Sequence, residues 1–278
     1  MQDLLDPKIF SEKLGIALKE KNVVLTRVYG RLPIEHASVE EEYLAFAEEL
    51  RPHITDTSNF VQHALDDGKT VLFEGAQATM LDLDHGTYPF VTSSNPIAGG
   101  ACIGAGVGPR DIERIIGISK AYCTRVGSGP FPSEADPVEG EVLLEAGNEY
   151  GTTTGRKRRC GWFDAVVGRY AARLNTLTEF VITKLDVLSE FERVPVCVAY
   201  EFEGKRFDEF PPNQTIFNKC QAVYEELPGW KEDITGARTL EDLPKEARAY
   251  LEAIEQLVNV PISWASVGPG RDQIVQVK

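Results

Sequence analysis

Residues 183–186 (TKLD) follow an apolar run and have the side chains that a guanine base requires. The carboxylate of Asp186 can accept both the N1–H and the exocyclic N–H of guanine, a paired contact that adenine does not offer. Lys184 points to the same side of a strand, so its alkyl stem can lie along the base. Lys and Asp also flank strands as solvated pairs, so this element alone is a weak sign. A second turn, at residues 266–268 (SVG), can direct backbone N–H groups at the guanine O6, and the two together predict a guanine site.

A second group of reactive side chains lies at residues 151–159 (GTTTGRKRR), which combine three hydroxyl groups with four cations. Arginine forks match the oxygens of carboxylates and phosphates two at a time. A nuclear-localisation-like run or an RNA-binding patch is the alternative interpretation. The glycines and the apolar residues Trp162 and Phe163 that follow place the segment within a fold, which favours an anion-binding loop.

A third polar region comprises residues 73–77 (FEGAQ) and 82–95 (DLDHGTYPFVTSSN). The preceding apolar residues predict a strand, which places Gln77 beyond a strand's carboxyl end, where α/β folds bind ligands. Its amide can donate to or accept from a base or carbonyl. The hydroxyl of Thr92 suits a phosphate. An ordinary turn with satisfied polar side chains is the alternative interpretation.

The same region contains Asp82 and Asp84, which could form a metal pair, although their alternation with leucines is more typical of turn hydrogen bonds. His85 could be a general acid, but a structural histidine bonded to backbone is the favoured interpretation. The cysteines and histidines show no metal-site spacing, so we expect no metal held wholly by this chain. Residues 99–108 contain five glycines without a dinucleotide fingerprint, and we expect a flexible loop there.

Segments with helical and strand patterns alternate along the chain, which predicts an α/β fold with a mainly parallel central sheet flanked by helices. No repeat or linker interrupts them, so we expect residues 1–278 to be a single α/β domain portion with no internal boundary. The predicted helices cover residues 7–20, 39–50, 56–67, 111–121, 161–174 and 244–257. The predicted strands cover residues 23–25, 70–73, 122–126, 179–183, 194–202 and 260–265.

The composition is that of an ordinary soluble protein, with 42% hydrophobic and 26% charged residues. The net charge of −14 should repel nucleic acid and anionic membranes, so we expect neither as a partner. No apolar run of about 20 residues predicts a membrane span. Five scattered cysteines without CxxC spacing indicate a reduced, cytoplasmic protein.

Taken in order, these motifs resemble those of the adenylosuccinate synthetase family. FEGAQ, DHGTYPFVTSSN, TRVGSGPFPSE, TTGRKRR with GWFD, TKLDVL and SVGPGR follow the family's order, and the resemblance runs from Asp3 to the end. It implies a P-loop-NTPase-like architecture and a homodimeric ligase of purine nucleotide biosynthesis that uses magnesium. The implied enzyme converts IMP, L-aspartate and the co-substrate GTP into adenylosuccinate, GDP and phosphate. GTP phosphorylates the 6-oxygen of IMP, and the amino group of aspartate displaces that phosphate.

The resemblance also implies roles for individual residues. Gln77 would support the hypoxanthine oxygen as negative charge develops on it. The residues implied to bind IMP are Gln77, Thr92, Val126 and Arg156. Those implied to bind aspartate are Thr152, Thr153, Thr154, Gly155, Arg156, Lys157 and Arg158. Those implied to bind GTP are Arg158, Lys184, Leu185, Asp186, Ser266, Val267 and Gly268.

One departure from the family pattern concerns the catalytic machinery. Family members begin with a Gly-rich phosphate loop, whose aspartate acts as base and binds magnesium, and a Gly-His-Thr segment with the catalytic acid follows. This sequence contains neither, and His85 belongs to a different motif. We therefore expect the C-terminal portion of such an enzyme, without the N-terminal strands or the Mg²⁺ ligands, and no synthesis by this chain alone. A guanine-nucleotide-binding or regulatory module without catalysis is the alternative.

Overall fold

The protein was analysed as a computed structural model, which describes residues 1–151, 155–211 and 213–278. The chain divides into two compact units, Met1–Val71 and Leu72–Lys278. The expectation of a single domain portion without an internal boundary stays a prediction.

The first unit consists of three α-helices, α1 (Pro7–Arg27), α2 (His36–Leu50) and α3 (Thr57–Asp66). Helix α1 begins with proline at its first position, and the Asp6 carboxylate caps it by accepting from Lys8 N at 3.0 Å. The predicted strand at 23–25 is wrong, because α1 continues through these residues. Two valines lower helix propensity only slightly, and no glycine or proline interrupts the turn there. No α-helix among the described residues is long and apolar enough to cross a lipid bilayer.

The second unit contains strands and helices in alternation. Its strands are β1 (Ile116–Lys120), β2 (Cys123–Arg125), β3 (Arg159–Gly161), β4 (Phe163–Asp164), β5 (Glu179–Thr183), β6 (Arg193–Phe202), β7 (Lys205–Phe207), β8 (Gln221–Pro228), β9 (Ile262–Ser266) and β10 (Ile274–Gln276). Its α-helices are α4 (Gly99–Ala105), α5 (Pro137–Ala146), α6 (Ala165–Asn175), α7 (Gln214–Lys219) and α8 (Lys245–Val258).

The main sheet has the strand order β1-β5-β9-β10. Strand β5 is central and runs parallel to both β1 and β9, whereas the edge strand β10 is antiparallel to β9. A second sheet joins β4, β6, β7 and β8, and β2 pairs with β3. Ile182 of β5 and Leu251 and Ile254 of α8 are buried in the core. The predicted α/β fold with a mainly parallel sheet is confirmed.

Four further predictions of local structure are wrong, all of them in residues 70–174. Residues 116–120 form β1 instead of a helix, because their register with β5 completes the parallel sheet. Residues 70–73 form no strand, since no described strand lies beside them to share hydrogen bonds. The predicted helix 161–174 begins only at Ala165, after two short strands, and Asp164 caps it. The predicted flexible loop at 99–108 includes α4, which ends at Gly106 with a φ of 71°.

Candidate functional site

The guanine-type element lies at the carboxyl end of the central strand β5, directly after Thr183. Lys184 has a φ of 60°, and its backbone N–H donates to Ser266 Oγ at 3.1 Å. Ser266 ends β9, which lies beside β5 in parallel. The two segments that the sequence pairs as a guanine site are therefore in contact, at the sheet edge where α/β folds bind ligands.

One carboxylate oxygen of Asp186 has no hydrogen-bond donor among the residues that the structure describes. It lines a cleft of about 530 Å³ together with Lys231, Asp233 and Thr235. Its Oδ1 is buried and receives no hydrogen bond from the described residues. Burial raises the pKa of this carboxyl group above its ordinary value. A buried acceptor without a donor costs free energy, so a ligand that supplies N–H groups would stabilise this arrangement.

Gln273 fixes the turn that follows β9. Its backbone oxygen accepts from Val267 N at 3.0 Å, and its Oε1 accepts from Gly270 N at 2.8 Å. Its Nε2 donates to the carbonyl of Thr235 at 3.1 Å, which ties the turn to a wall of the cleft. A Cβ at Gly268 would lie 2.5 Å from the Gln273 side chain, so only glycine fits there without displacing it. No motif in the sequence identified Gln273.

A fully buried carboxylate, Glu149, lies behind this site. Its two oxygens accept hydrogen bonds from three cations and a phenol, which are Lys120 Nζ at 2.8 Å, Lys184 Nζ at 2.8 Å, Arg158 Nη1 at 2.6 Å and Tyr122 OH at 2.5 Å. Burial by itself raises the pKa of Glu149, but these donors outweigh burial and lower it to about 2. The carboxylate is therefore ionised and joins the guanine element to the basic segment.

The basic segment is extensively paired within the protein. The Lys157 ammonium lies 2.7 Å from Glu141, and the Arg159 guanidinium lies 2.5 Å from Glu134. Gly155 has a φ of 63°, and its N–H donates to the carbonyl of Gly151 at 2.7 Å. Gly151 and Gly155 are thus hydrogen-bonded to each other, and Lys157 and Arg159 are paired with carboxylates. The predicted aspartate contacts of Thr152, Thr153 and Thr154 lie outside the described residues.

Gln77 and Thr92 lie on one folded loop. Ser94 Oγ donates to Gln77 Oε1 at 3.4 Å. Thr92 N donates to Leu81 O at 2.8 Å, which holds the two limbs of the loop together. The two residues are therefore on neighbouring parts of the same surface, with Gln77 exposed to solvent.

Asp82 organises that loop from within. It is buried, and its Oδ1 accepts from Asp84 N, His85 N and Asn95 Nδ2 at 3.0 to 3.1 Å. This geometry supports the interpretation of turn hydrogen bonds. The backbone carbonyl of His85 accepts from Tyr170 OH at 2.8 Å, so the histidine has a structural contact. Residues 1–151, 155–211 and 213–278 contain no group of three side chains placed to hold a metal ion.

Val126 lies on a turn attached to the same loop. Arg125 Nη2 donates to Thr87 Oγ1 at 3.0 Å, and Arg125 Nε donates to Ser128 O at 3.2 Å. Arg159 Nη1 donates to the carbonyl of Gly129 at 2.8 Å. The two arginines therefore join the Val126 turn to the polar loop and to the basic segment. The sequence alone predicted no role for Arg125, whereas it placed Arg159 among the cations of the predicted anion-binding loop.

Backbone strain marks two of the predicted site residues. Six of the described non-glycine residues have a positive φ. Three of them follow helices, namely Asn148, Thr176 and Asn259, and Glu203 lies in a hairpin turn. The other two are Gln77, at 71°, and Lys184, at 60°. Such conformations cost about 1–3 kcal/mol and concentrate at functional sites.

Comparison with known proteins identifies the family. The sequence model described as adenylosuccinate synthetase matches residues 1–275. The chain belongs to the adenylosuccinate synthetase family. The adenylosuccinate synthetase of Thermobifida fusca is 57% identical over 278 residues, which are 100% of this chain and 65% of that protein. The adenylosuccinate synthetase of Geotalea daltonii is 54% identical over 278 residues, which are 100% of this chain and 64% of that protein. The chain thus spans about two thirds of the length of these curated relatives.

Solved structures agree with this assignment. A fully ligated adenylosuccinate synthetase from Plasmodium falciparum has a TM-score of 0.91 and 36% sequence identity, over 99% of this chain and 65% of that one. A cyanophage S-2L succinoaminodeoxyadenylate synthetase bound to dGMP and dATP has a TM-score of 0.51 at 18% identity over 83% of this chain and 55% of that one, which shows a common fold alone.

Proposed function

We propose that this chain supplies the base-binding part of a GTP site, an IMP site and an aspartate loop to an adenylosuccinate synthetase. Membership of the family supports the reaction, in which GTP phosphorylates the 6-oxygen of IMP and aspartate displaces the phosphate. The observation that carries the guanine assignment is the position of Asp186 in the wall of the cleft, with a buried Oδ1 that receives no hydrogen bond from the described residues. The N1–H and exocyclic N–H of guanine are the donors that such a carboxylate requires.

The proposed GTP residues surround the junction between the ends of β5 and β9. Asp186 reads the base, the Lys184 stem lies along it, and the turn at 266–268 meets the O6. This set comprises Arg158, Lys184, Leu185, Asp186, Ser266, Val267 and Gly268. The contact between Lys184 N and Ser266 Oγ supports their grouping.

The proposed IMP residues are Gln77, Thr92, Val126 and Arg156. Gln77 Nε2 would donate to the hypoxanthine oxygen as negative charge develops, and a preorganised donor stabilises that charge without reorganisation. The hydroxyl of Thr92 would hold the IMP phosphate. The joining of the Val126 turn to the polar loop through Arg125 supports a common site.

The proposed aspartate site comprises residues 152–158 of the sequence, whose hydroxyls and cations would clamp the two carboxylates. Magnesium usually takes one or two carboxylates together with substrate phosphates. The described residues include no group of three possible ligands, so we assign none of them to Mg²⁺. Its ligands, and the principal acid and base, are proposed to lie in a part of the whole enzyme that this sequence does not include.

Substitution of Asp186 tests the guanine assignment. We expect Asp186→Asn to raise the Kd for GDP by about 10–100-fold, because the amide keeps one acceptor but loses the charge. Binding of ADP should not change. The matched control is Asp233→Asn, in the same cleft, whose carboxylate already accepts from Thr235 N at 2.9 Å. Equal GDP affinity in wild type and Asp186→Asn would contradict the assignment.

Turnover by the isolated chain tests the proposal that the principal acid, the base and the Mg²⁺ ligands lie outside this sequence. We expect no adenylosuccinate from IMP, aspartate, GTP and magnesium, because the sequence contains no Gly-rich phosphate loop. Fusion to the preceding portion of the Thermobifida fusca relative should restore synthesis. Chromatographic detection of product from the 278-residue chain alone would overturn the expectation. GDP binding without restored synthesis in the fusion would favour a regulatory module.

A further inference from the structure

Glu149 unites elements that are distant in the sequence. It comes shortly after α5, and its side chain has no solvent exposure. The residues that donate to it lie at the end of β1, just before β2, before β3 and just after β5, and these are Lys120, Tyr122, Arg158 and Lys184. Two of these donors, Lys184 and Arg158, belong to the proposed ligand-binding residues. Glu149 itself lies too deep to touch a ligand.

The backbone around Glu149 fixes its position before any ligand arrives. Its N–H donates to Leu144 O at 2.9 Å, and its carbonyl accepts from Arg158 N at 2.9 Å. Lys184 Nζ also donates to the carbonyl of Gly147 at 2.5 Å. Residues 147–149 therefore hold each cation through two contacts. The Lys184 ammonium donates to the Gly147 carbonyl and to the Glu149 carboxylate. Arg158 donates to Glu149 from its backbone N–H and from its guanidinium.

We propose that Glu149 is a positioning residue that holds the Lys184 ammonium and the Arg158 guanidinium ready for the guanine nucleotide and for the dicarboxylate at the basic loop. This inference rests on the proposed function. Three cations surround one carboxylate, so removal of its charge would leave like charges close together and free their long side chains to rearrange. A site whose cations are already ordered loses less conformational entropy when a ligand binds.

Gln77 and Thr92, two of the four proposed IMP residues, provide an internal reference. Gln77 and Thr92 are held by a loop organised around Asp82, which makes no described hydrogen bond to the Glu149 cluster. A positioning role therefore predicts that substitution of Glu149 weakens binding at the guanine-nucleotide and dicarboxylate sites and leaves IMP binding unchanged. A merely structural role predicts either an equal loss of affinity at all three sites or no loss of affinity below the unfolding temperature.

The test measures the Kd values of three probes for the 278-residue chain and for its Glu149→Gln variant. The probes are GDP, IMP and succinate, which is the dicarboxylate skeleton of aspartate, each titrated by ligand-observed NMR. Gln keeps the shape and removes the charge. We expect the Kd values for GDP and succinate to rise about tenfold or more, and that for IMP to stay within about twofold.

A second variant keeps the proposal testable should Glu149→Gln fail to fold. Tyr122→Phe removes a single donor from Glu149 and leaves an apolar ring of the same shape in the core. We expect the same selectivity with a smaller rise, about 2–5-fold. The control Glu134→Gln removes the carboxylate beside Arg159, a half-exposed ion pair in the same segment, and should leave GDP and succinate binding unchanged.

The outcomes separate the inference from the proposed function. Wild-type binding of GDP and succinate that survives in both Glu149→Gln and Tyr122→Phe would overturn the positioning role and leave the proposed function intact. A parallel loss of IMP binding in these variants would show a structural role and also overturn it. Failure of the wild-type chain to bind any of the probes would overturn the proposed function, and the inference with it.

Discussion

At the scale of single residues, the site contains two carboxylates with different hydrogen-bond partners. Asp186 and Glu149 both place a carboxylate near the end of β5, but their environments are opposite. Glu149 has more donors than most carboxylates, and Asp186 Oδ1 has none among the described residues. The first arrangement stabilises the folded protein, whereas the second is the one that we propose a guanine base completes. In this proposal, the structural role and the binding role belong to two neighbouring acids.

The pKa of Glu149 predicts a specific pH dependence of stability. This pKa is about 2 in the folded protein, below its ordinary value of 4.5. Because the folded value is the lower one, ionised Glu149 stabilises the fold fully above about pH 4.5. The contribution, on the order of 3 kcal/mol, is lost as the pH falls from 4.5 towards 2.

Urea unfolding of wild type and Glu149→Gln between pH 2 and 7 measures this contribution. We expect the difference between their free energies of unfolding to be largest above about pH 5 and to shrink by about 3 kcal/mol at the acid end. Other carboxylates titrate in both proteins, so their effects cancel to first order. A difference that stays constant with pH would show that folding does not shift the pKa of Glu149.

At the scale of elements, α6 holds the loop that carries the proposed IMP residues. Asn175, at its last position, donates from Nδ2 to Thr79 Oγ1 at 3.0 Å and accepts at Oδ1 from Ala98 N at 2.7 Å. Tyr170 of the same helix donates to the carbonyl of His85. A rigid helix therefore fixes three points of a loop that has little regular structure of its own.

Replacement of Asn175 by alanine should loosen that loop. Two buried polar contacts lose their partner, so we expect a loss of about 1–3 kcal/mol in the free energy of unfolding. The Kd for IMP should rise, whereas that for GDP should not change. Asn22→Ala is the matched control, since Asn22 also bridges a loop by bonding N and O of Ile34, in the first unit. Unchanged IMP affinity in Asn175→Ala would contradict a role for α6 in the site.

The sequence predicted the elements whose patterns are local. Strand β5 was predicted with its observed bounds because a short apolar run ends in a polar pair. Strand β1 was mistaken for a helix, since its identity depends on pairing with β5, 63 residues later at Ile116 and Glu179. Glu149 was missed for the same reason, because its contacts with Lys120 and Lys184 span 29 and 35 residues. Motifs identify residues that touch ligands more readily than residues that support them.

At the scale of the whole molecule, burial is distributed unevenly between the two compact units. Ala47 is the one fully buried apolar residue in Met1–Val71, all of which is described. Large apolar side chains such as Ile16, Val28 and Leu32 are exposed there. Both clusters of buried core residues belong to the second unit. Since apolar burial supplies most of the free energy of folding, the first unit has little local stability of its own.

Hydrogen exchange should show this difference in local stability when one α-helix from each unit is compared. Helix α8 buries Tyr250, Leu251 and Ile254, whereas α1 buries no residue. We therefore expect the amides of α1 to exchange at least about 100-fold faster than those of α8 at the same pH and temperature. Because both segments are α-helices, intrinsic hydrogen bonding cannot account for such a gap, and only tertiary burial can. Equal protection would instead show that the chain opens as one cooperative unit, as a single domain portion without an internal boundary requires.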